Sequence, residues 1–103
     1  MSVKFKASER QDYMLVEFKI DGNVMMPEDL KGLSENSPRV KPNMGVVLSG
    51  RGPTWFYGHL VHRYHPAKWV GIYDPRLGGA VVVATHCTGR LDGDVVNMEA
   101  ETI

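Results

Sequence analysis

Three of the four histidines of this 103-residue chain fall between Ser49 and Gly79, in the stretch SGRGPTWFYGHLVHRYHPAKWVGIYDPRLGG. His62 and His65 stand three residues apart, so on a helix their imidazoles are neighbours that can share a metal ion or let one orient the other. His59 lies three residues before His62, but each three-residue step rotates backwards by roughly 60°, so the trio cannot face one point. A histidine near a helix C-terminus also has a structural use, as an imidazolium that satisfies the last carbonyls. In the same stretch Ser49-Gly50-Arg51-Gly52 brings a hydroxyl, a guanidinium and unpaired backbone N–H groups to one turn, which is an anion-binding arrangement. A tight turn that needs its glycines and leaves Arg51 in solvent fits the same residues. Asp74-Pro75-Arg76 adds a carboxylate and a second guanidinium, and an aspartate before proline either faces a ligand or caps an Asx turn. His86 and Cys87, closing an apolar run, read as residues at the edge of the core.

The elements that must position these groups are legible from hydrophobic spacing. Val3 to Ala7 and the alternating Tyr13 to Ile20 read as strands, and Asp21-Gly22-Asn23 turns the chain. Pro27 with Glu28 and Asp29 predicts the start of a helix that Gly32 keeps short. Asn36 to Asn43, with Pro38 and Pro42, is a loop whose cations Arg39 and Lys41 serve an anion or simply face water. Gly45 to Ser49 is a compact apolar strand. Proline presets a helix after Gly52, and Trp55, Phe56, Leu60, Val61 and Tyr64 recur at three- to four-residue spacing until Pro66. Trp69 to Tyr73, Ala80 to His86 and Val95 to Ala100 complete the strands, with turns at Asp74 to Gly79 and at Asp92-Gly93-Asp94. The order β, β, short α, β, α, β, β, β predicts one α+β domain over residues 1–103, with a mixed sheet and one clear βαβ unit.

In a βαβ unit the helix runs antiparallel to both strands. Gly50 to Gly52 and Asp74 therefore belong at one end and His65 at the other, about 16 Å away for a strand of five residues at roughly 3.3 Å each. If His65 and Asp74 act on one substrate, two molecules must assemble the site head to tail.

Composition narrows the function classes. Twelve Lys and Arg balance twelve Asp and Glu, so no global field draws the chain to DNA or to nucleic acid in general. A polyanionic ligand would need a local patch. The one cysteine has no intramolecular disulfide partner and there is no zinc-type Cys/His spacing, which predicts a reducing, cytoplasmic setting. No apolar run approaches the roughly 18 residues of a membrane span, so no membrane association is expected.

Gly45-Val-Val-Leu-Ser-Gly-Arg-Gly-Pro-x-Trp55, His62-Arg-Tyr-His65, Val70-Gly-Ile-Tyr-Asp-Pro-Arg-Leu-Gly78 and Val81-Val-Val together resemble the small CRISPR-associated ring nucleases of type III systems, first described as manganese-dependent RNA deadenylases. The resemblance covers roughly residues 12 to 100. It implies a ferredoxin-like or CARF-related homodimer that binds cyclic tetraadenylate and linearises it, switching off messenger-activated antiviral ribonucleases. Carried onto this chain, it implies catalysis by His65 and Asp74 with Arg76 and His62, and ligand binding by Ser49, Gly50, Arg51 and Gly52. It also implies a Mn²⁺ or other divalent cofactor held through Asp74 and His65. Pro66 stands where the family pattern often has a second histidine, which speaks against a metal held by adjacent imidazoles. Two stacked dimers would sandwich the ring, with Trp55, Tyr57 or Tyr73 available to stack adenines. The alternatives are a deadenylase acting on poly(A) RNA ends with the same residues, and a sensor or sponge that binds the messenger without cleaving it.

Overall fold

The computed structural model describes residues 3–98. Six strands, β1 (Val3–Glu9), β2 (Tyr13–Ile20), β3 (Gly45–Ser49), β4 (Trp69–Asp74), β5 (Gly79–Thr85) and β6 (Val95–Asn97), form one sheet in chain order, with the helix α1 (Thr54–Arg63) between β3 and β4. β2, β3 and β4 run parallel, and every other neighbouring pair is antiparallel. The fold is α+β with a mixed sheet, as the spacing predicts, and its one βαβ unit is β3-α1-β4. Consequently the carboxyl ends of three adjacent parallel strands open on the same edge.

Pleating divides the core. Val16, Phe18 and Ile20 of β2, Val46 and Leu48 of β3 and Val70 of β4 face α1, which buries Phe56 and Leu60 completely against them. These two helix positions lie four apart, one above the other, and Tyr64 follows after four more. Phe18 and Phe56 meet edge to face, with ring centroids 4.8 Å apart. Truncating a fully buried phenylalanine of this kind costs about 3–5 kcal/mol. The opposite face collects Tyr13, Leu15, Val47, Trp69, Ala80, Val82, Val96 and Met98. Gly45 lies against the Trp69 indole so closely that a Cβ there would fall 2.1 Å from the ring, so the first residue of β3 has to lack a side chain.

Several boundaries depart from the sequence reading. The helix expected after Pro27 is instead two 3₁₀ turns, Pro27–Leu30 and Leu33–Glu35. Between them Lys31 is extended and Gly32 takes φ +77°, a left-handed step that no helix passes through. Asp29 still caps, accepting the Met26 N–H at 2.8 Å. Trp55, read as a helix core residue, is 39% exposed because only one stripe of α1 meets the sheet. β4 runs one residue further than expected, so Asp74 both ends the strand and opens the turn that follows, its carbonyl accepting the Leu77 N–H at 3.0 Å. The last strand stops at Asn97; Ala100, where the sequence reading placed its end, lies outside the described residues. The β4–β5 register is irregular between Val70 and Gly71: Val70 pairs with Ala84 and Gly71 with Val82, leaving Val83 as an extra residue on β5.

Candidate functional site

At the carboxyl edge, Leu48 pairs with Ile72, so two residues further along each strand Gly50 and Asp74 come abreast. The Asp74 carboxylate caps its own turn: Oδ1 accepts the Arg76 backbone N–H at 2.9 Å. The Arg76 guanidinium then closes on the same carboxylate, Nε to Oδ1 at 3.3 Å and Nη2 to Oδ2 at 3.0 Å. The Asx-turn alternative is thus present, and the ion pair is built on top of it. Hydrogen bonding from the Arg76 side chain, then from its backbone, holds the Asp74 carboxyl below the usual aspartate range. Arg76 itself is open to solvent, so the outer part of its guanidinium remains available to a second anion.

The Ser49 to Gly52 turn is explained first by packing. A Cβ on Gly50 would fall 2.5 Å from the Phe18 carbonyl oxygen, and one on Gly52 would lie 3.1 Å from the rings of Phe18 and Phe56. The Tyr57 hydroxyl, on the first turn of α1, donates to the Gly50 carbonyl. Burial raises the Tyr57 pKa, more than this bond lowers it, so the phenol stays a donor. The turn is therefore pinned, and Arg51 on it is exposed. Beside it a groove of about 520 Å³ runs between Arg51, Gly52 and Pro53 on one side and Ile20, Asn23 and Met25 on the other.

Histidines occupy the other edge. His65 Nδ1 and His86 Nε2 are 3.1 Å apart, with ring centroids at 5.0 Å. The His62 ring lies 6.3 Å from that of His65. All three are exposed. The His65 N–H donates to the His62 carbonyl at 3.2 Å and the His86 N–H to the Lys68 carbonyl at 2.7 Å, which fixes both backbones at the amino end of β4. His59 stays apart, with Nε2 buried and making no hydrogen bond among the described residues. One imidazole of the 3.1 Å pair must donate and the other accept, so the contact holds only while at least one of the two rings is neutral.

His65 and Asp74 therefore do not meet within one chain; β4 separates them by about 16 Å at roughly 3.3 Å per residue. Sequence reasoning placed His86 at the core edge, and the structure corrects this: His86 is exposed and paired with His65. The available signal was topology, since β5 runs antiparallel to β4 and must return its last residues to the end where α1 finishes.

Among the described residues no group of three or more His, Cys, Asp or Glu is arranged to hold a metal. The donor chemistry fits a divalent ion only in part. Two imidazoles face each other at His65 and His86, while the Asp74 carboxylate is at the far edge and engaged by Arg76. Any ion held through both His65 and Asp74 would need donors from two molecules.

The architecture is a single mixed sheet with one crossover helix and exposed polar side chains at both ends of the parallel strands. The sequence pattern of a CRISPR-associated protein family, Cas_csx3, matches residues 17–97. The chain belongs to that family, the one its motifs resemble. It is also 50% identical over 92 residues, 85% of this chain and 80% of the relative, to an uncharacterized protein of Aquifex aeolicus (strain VF5). No helix among the described residues is long and apolar enough to cross a membrane.

Proposed function

We propose that the chain is a ring nuclease that opens cyclic tetraadenylate at a site shared between stacked copies. The observation that carries this reading is the partition of functional groups: Arg51, Asp74 and Arg76 at one end of β4, His62, His65 and His86 at the other. Each end is half a phosphodiesterase. Guanidinium groups bind phosphate oxygens as charge builds on them. Imidazoles take and return protons. In a head-to-tail stack the Asp74 end of one copy faces the His65 end of the next.

The proposed step balances within these groups. A ribose 2′-oxygen attacks the adjacent phosphorus while its proton passes to an imidazole, and the P–O5′ bond breaks with the leaving oxygen taking a proton from the histidine pair. His65 and His86 suit this exchange because one ring of the pair already donates while the other accepts. The Asp74–Arg76 pair supplies a fixed guanidinium, and a divalent ion such as Mn²⁺, if bound across the stack, would add positive charge at the phosphate. A twofold dimer offers each loop twice to a ring with four phosphates. Self-association is supported by an apolar strip on the helix side, where Tyr57, Val61, Ile72 and Val83 surround Gly58. Val83 is 42% exposed, and a Cβ on Gly58 would meet nothing within 4 Å.

The test is to incubate the protein with cyclic tetraadenylate, with and without Mn²⁺, and identify the products. Linear adenylates that form faster per molecule as protein concentration rises are expected. Tight binding with no linear product would leave a sensor or sponge. Cleavage of linear poly(A) ends in preference to the ring would leave a deadenylase.

A further inference from the structure

A second groove, of about 390 Å³, opens where α1 ends, lined by Arg63, Tyr64 and Pro66 on one side and Pro38, Arg39 and Val40 on the other. One wall comes from the loop whose two cations, Arg39 and Lys41, were expected to serve an anion or simply to face water. Neither arginine forms an ion pair among the described residues, and no acidic side chain lines the groove. Arg63 is held in place: its Nε donates to the Ser37 hydroxyl at 3.0 Å, and its guanidinium lies 5.7 Å from the centre of the Tyr64 ring. Only one of its five N–H donors is used by that bond, which leaves four for an anion. The Tyr64 hydroxyl donates to the Pro38 carbonyl at 2.6 Å and ties the two walls together.

The helix C-terminus is the wrong end of the dipole for an anion, but it contributes about half a negative charge against two full positive ones. Two of its last carbonyls are also occupied: Leu60 accepts from the Tyr64 N–H and His62 from the His65 N–H. The remaining walls are proline, valine and an aromatic ring. A pocket of this size is at the small end of the roughly 300–1,000 Å³ range of ligand sites, enough for one nucleotide and too little for a ring of four.

We infer that this groove binds one phosphate and the attached nucleoside of a single-stranded oligonucleotide, placing that nucleotide beside the turn that carries His65. Arg63 contributes a pre-positioned guanidinium, Arg39 an exposed second charge, and Pro38, Val40 and Pro66 the apolar surface for sugar and base. The inference rests on the proposed function only for the base being adenine.

Linear tetraadenylate is the probe, titrated at several salt concentrations and followed by backbone amide NMR, with inorganic phosphate as a parallel arm. Shifts at Val40, Arg63, Tyr64 and Ala67 are expected. Arg39→Gln should weaken binding about five- to tenfold and flatten the dependence of log affinity on log salt by about 0.7, the loss of one single-strand phosphate contact. Arg39 is exposed, so this variant should fold as the parent does. Unchanged affinity and salt slope in Arg39→Gln, or shifts confined to other residues, would overturn the inference. So would inorganic phosphate reproducing the same shifts with no gain from the nucleoside. Turnover of cyclic tetraadenylate is scored in the same samples. Groove shifts without turnover support the groove and count against the ring nuclease; turnover without groove shifts does the reverse.

Discussion

The two ends of β4 bring their polar side chains into contact by opposite routes. At the carboxyl end, Asp74 and Arg76 are two residues apart and the backbone itself sets their geometry. At the amino end, His65 and His86 are 21 residues apart and meet only because the sheet brings them together. A local motif can be read from sequence; a long-range pair depends on topology and register. The chemistry differs in the same sense. The carboxyl end holds fixed charge, since Asp74 is kept ionised by its neighbour, whereas the amino end holds a hydrogen bond that needs at least one neutral ring.

The largest effect expected from breaking the comparison is on turnover. His65→Ala should lower the rate of cyclic tetraadenylate cleavage by about 10²–10⁴-fold, the usual contribution of a positioned acid or base, and Asp74→Ala, which releases the Arg76 guanidinium from its fixed position, by about 10²-fold, the cost of a misplaced binding group. Mixing the two inactive proteins should restore part of the activity, since a stack can then present one intact face of each kind. No recovery despite confirmed stacking would sink the shared site.

Next in size is the support beneath the carboxyl end. Gly50→Ala pushes a Cβ into the Phe18 carbonyl and should destabilise the fold by about 1–3 kcal/mol, read from chemical denaturation. Gly58→Ala, on the open face of α1, should instead be neutral or stabilising by up to about 1 kcal/mol. Equal effects of the two substitutions would refute the claim that the Ser49 to Gly52 turn is defined by packing.

His86→Ala should cost about tenfold in turnover, less than His65→Ala, and should release the His65 ring. The signature is a changed acid limb of the pH–rate profile, with thermal stability unaltered because the pair is exposed. An unchanged profile would make the histidine contact incidental.

The smallest effects are electrostatic. Asp74 has its pKa lowered in the folded chain, so the stability it contributes is fully present above the ordinary aspartate value and is lost as pH falls through the lower folded one. The stability gap between the parent and Asp74→Asn should therefore close below about pH 4. On the far side of the sheet, the hydrogen bond with the Thr85 hydroxyl is the main cause that lowers the Cys87 thiol pKa. Thr85→Val should move the midpoint of Cys87 alkylation to higher pH.

Much of this was legible in the sequence. The strands, α1 and the separation of Asp74 from His65 follow from apolar spacing and from the direction a crossover helix must run. The Asx turn was foreseeable because Asp74 precedes Pro75. What escaped was set by contacts distant in sequence: the need for glycine at 50 comes from Phe18, and the exposure of Trp55 from how little of α1 the sheet covers. The turns after Pro27 escaped for a local reason, since a single glycine in a left-handed conformation decides between one helix and two fragments.

The extra residue in β5 has an effect out of proportion to its size. On the Val82 side of the irregularity the strand shows Ala80 and Val82 to the face opposite the helix, and on the other side it shows Ala84 to the helix face. Alternation then carries His86 to the face where α1 ends. Were Val83 paired regularly with Val70 instead of standing as an extra residue, Ala84 would fall opposite Trp69, His86 would point to the far side of the sheet, and His65 would have no partner. One unpaired position works here as a phase shift in the pleat, and ironing it into the regular ladder would invert the end of the strand without altering either histidine.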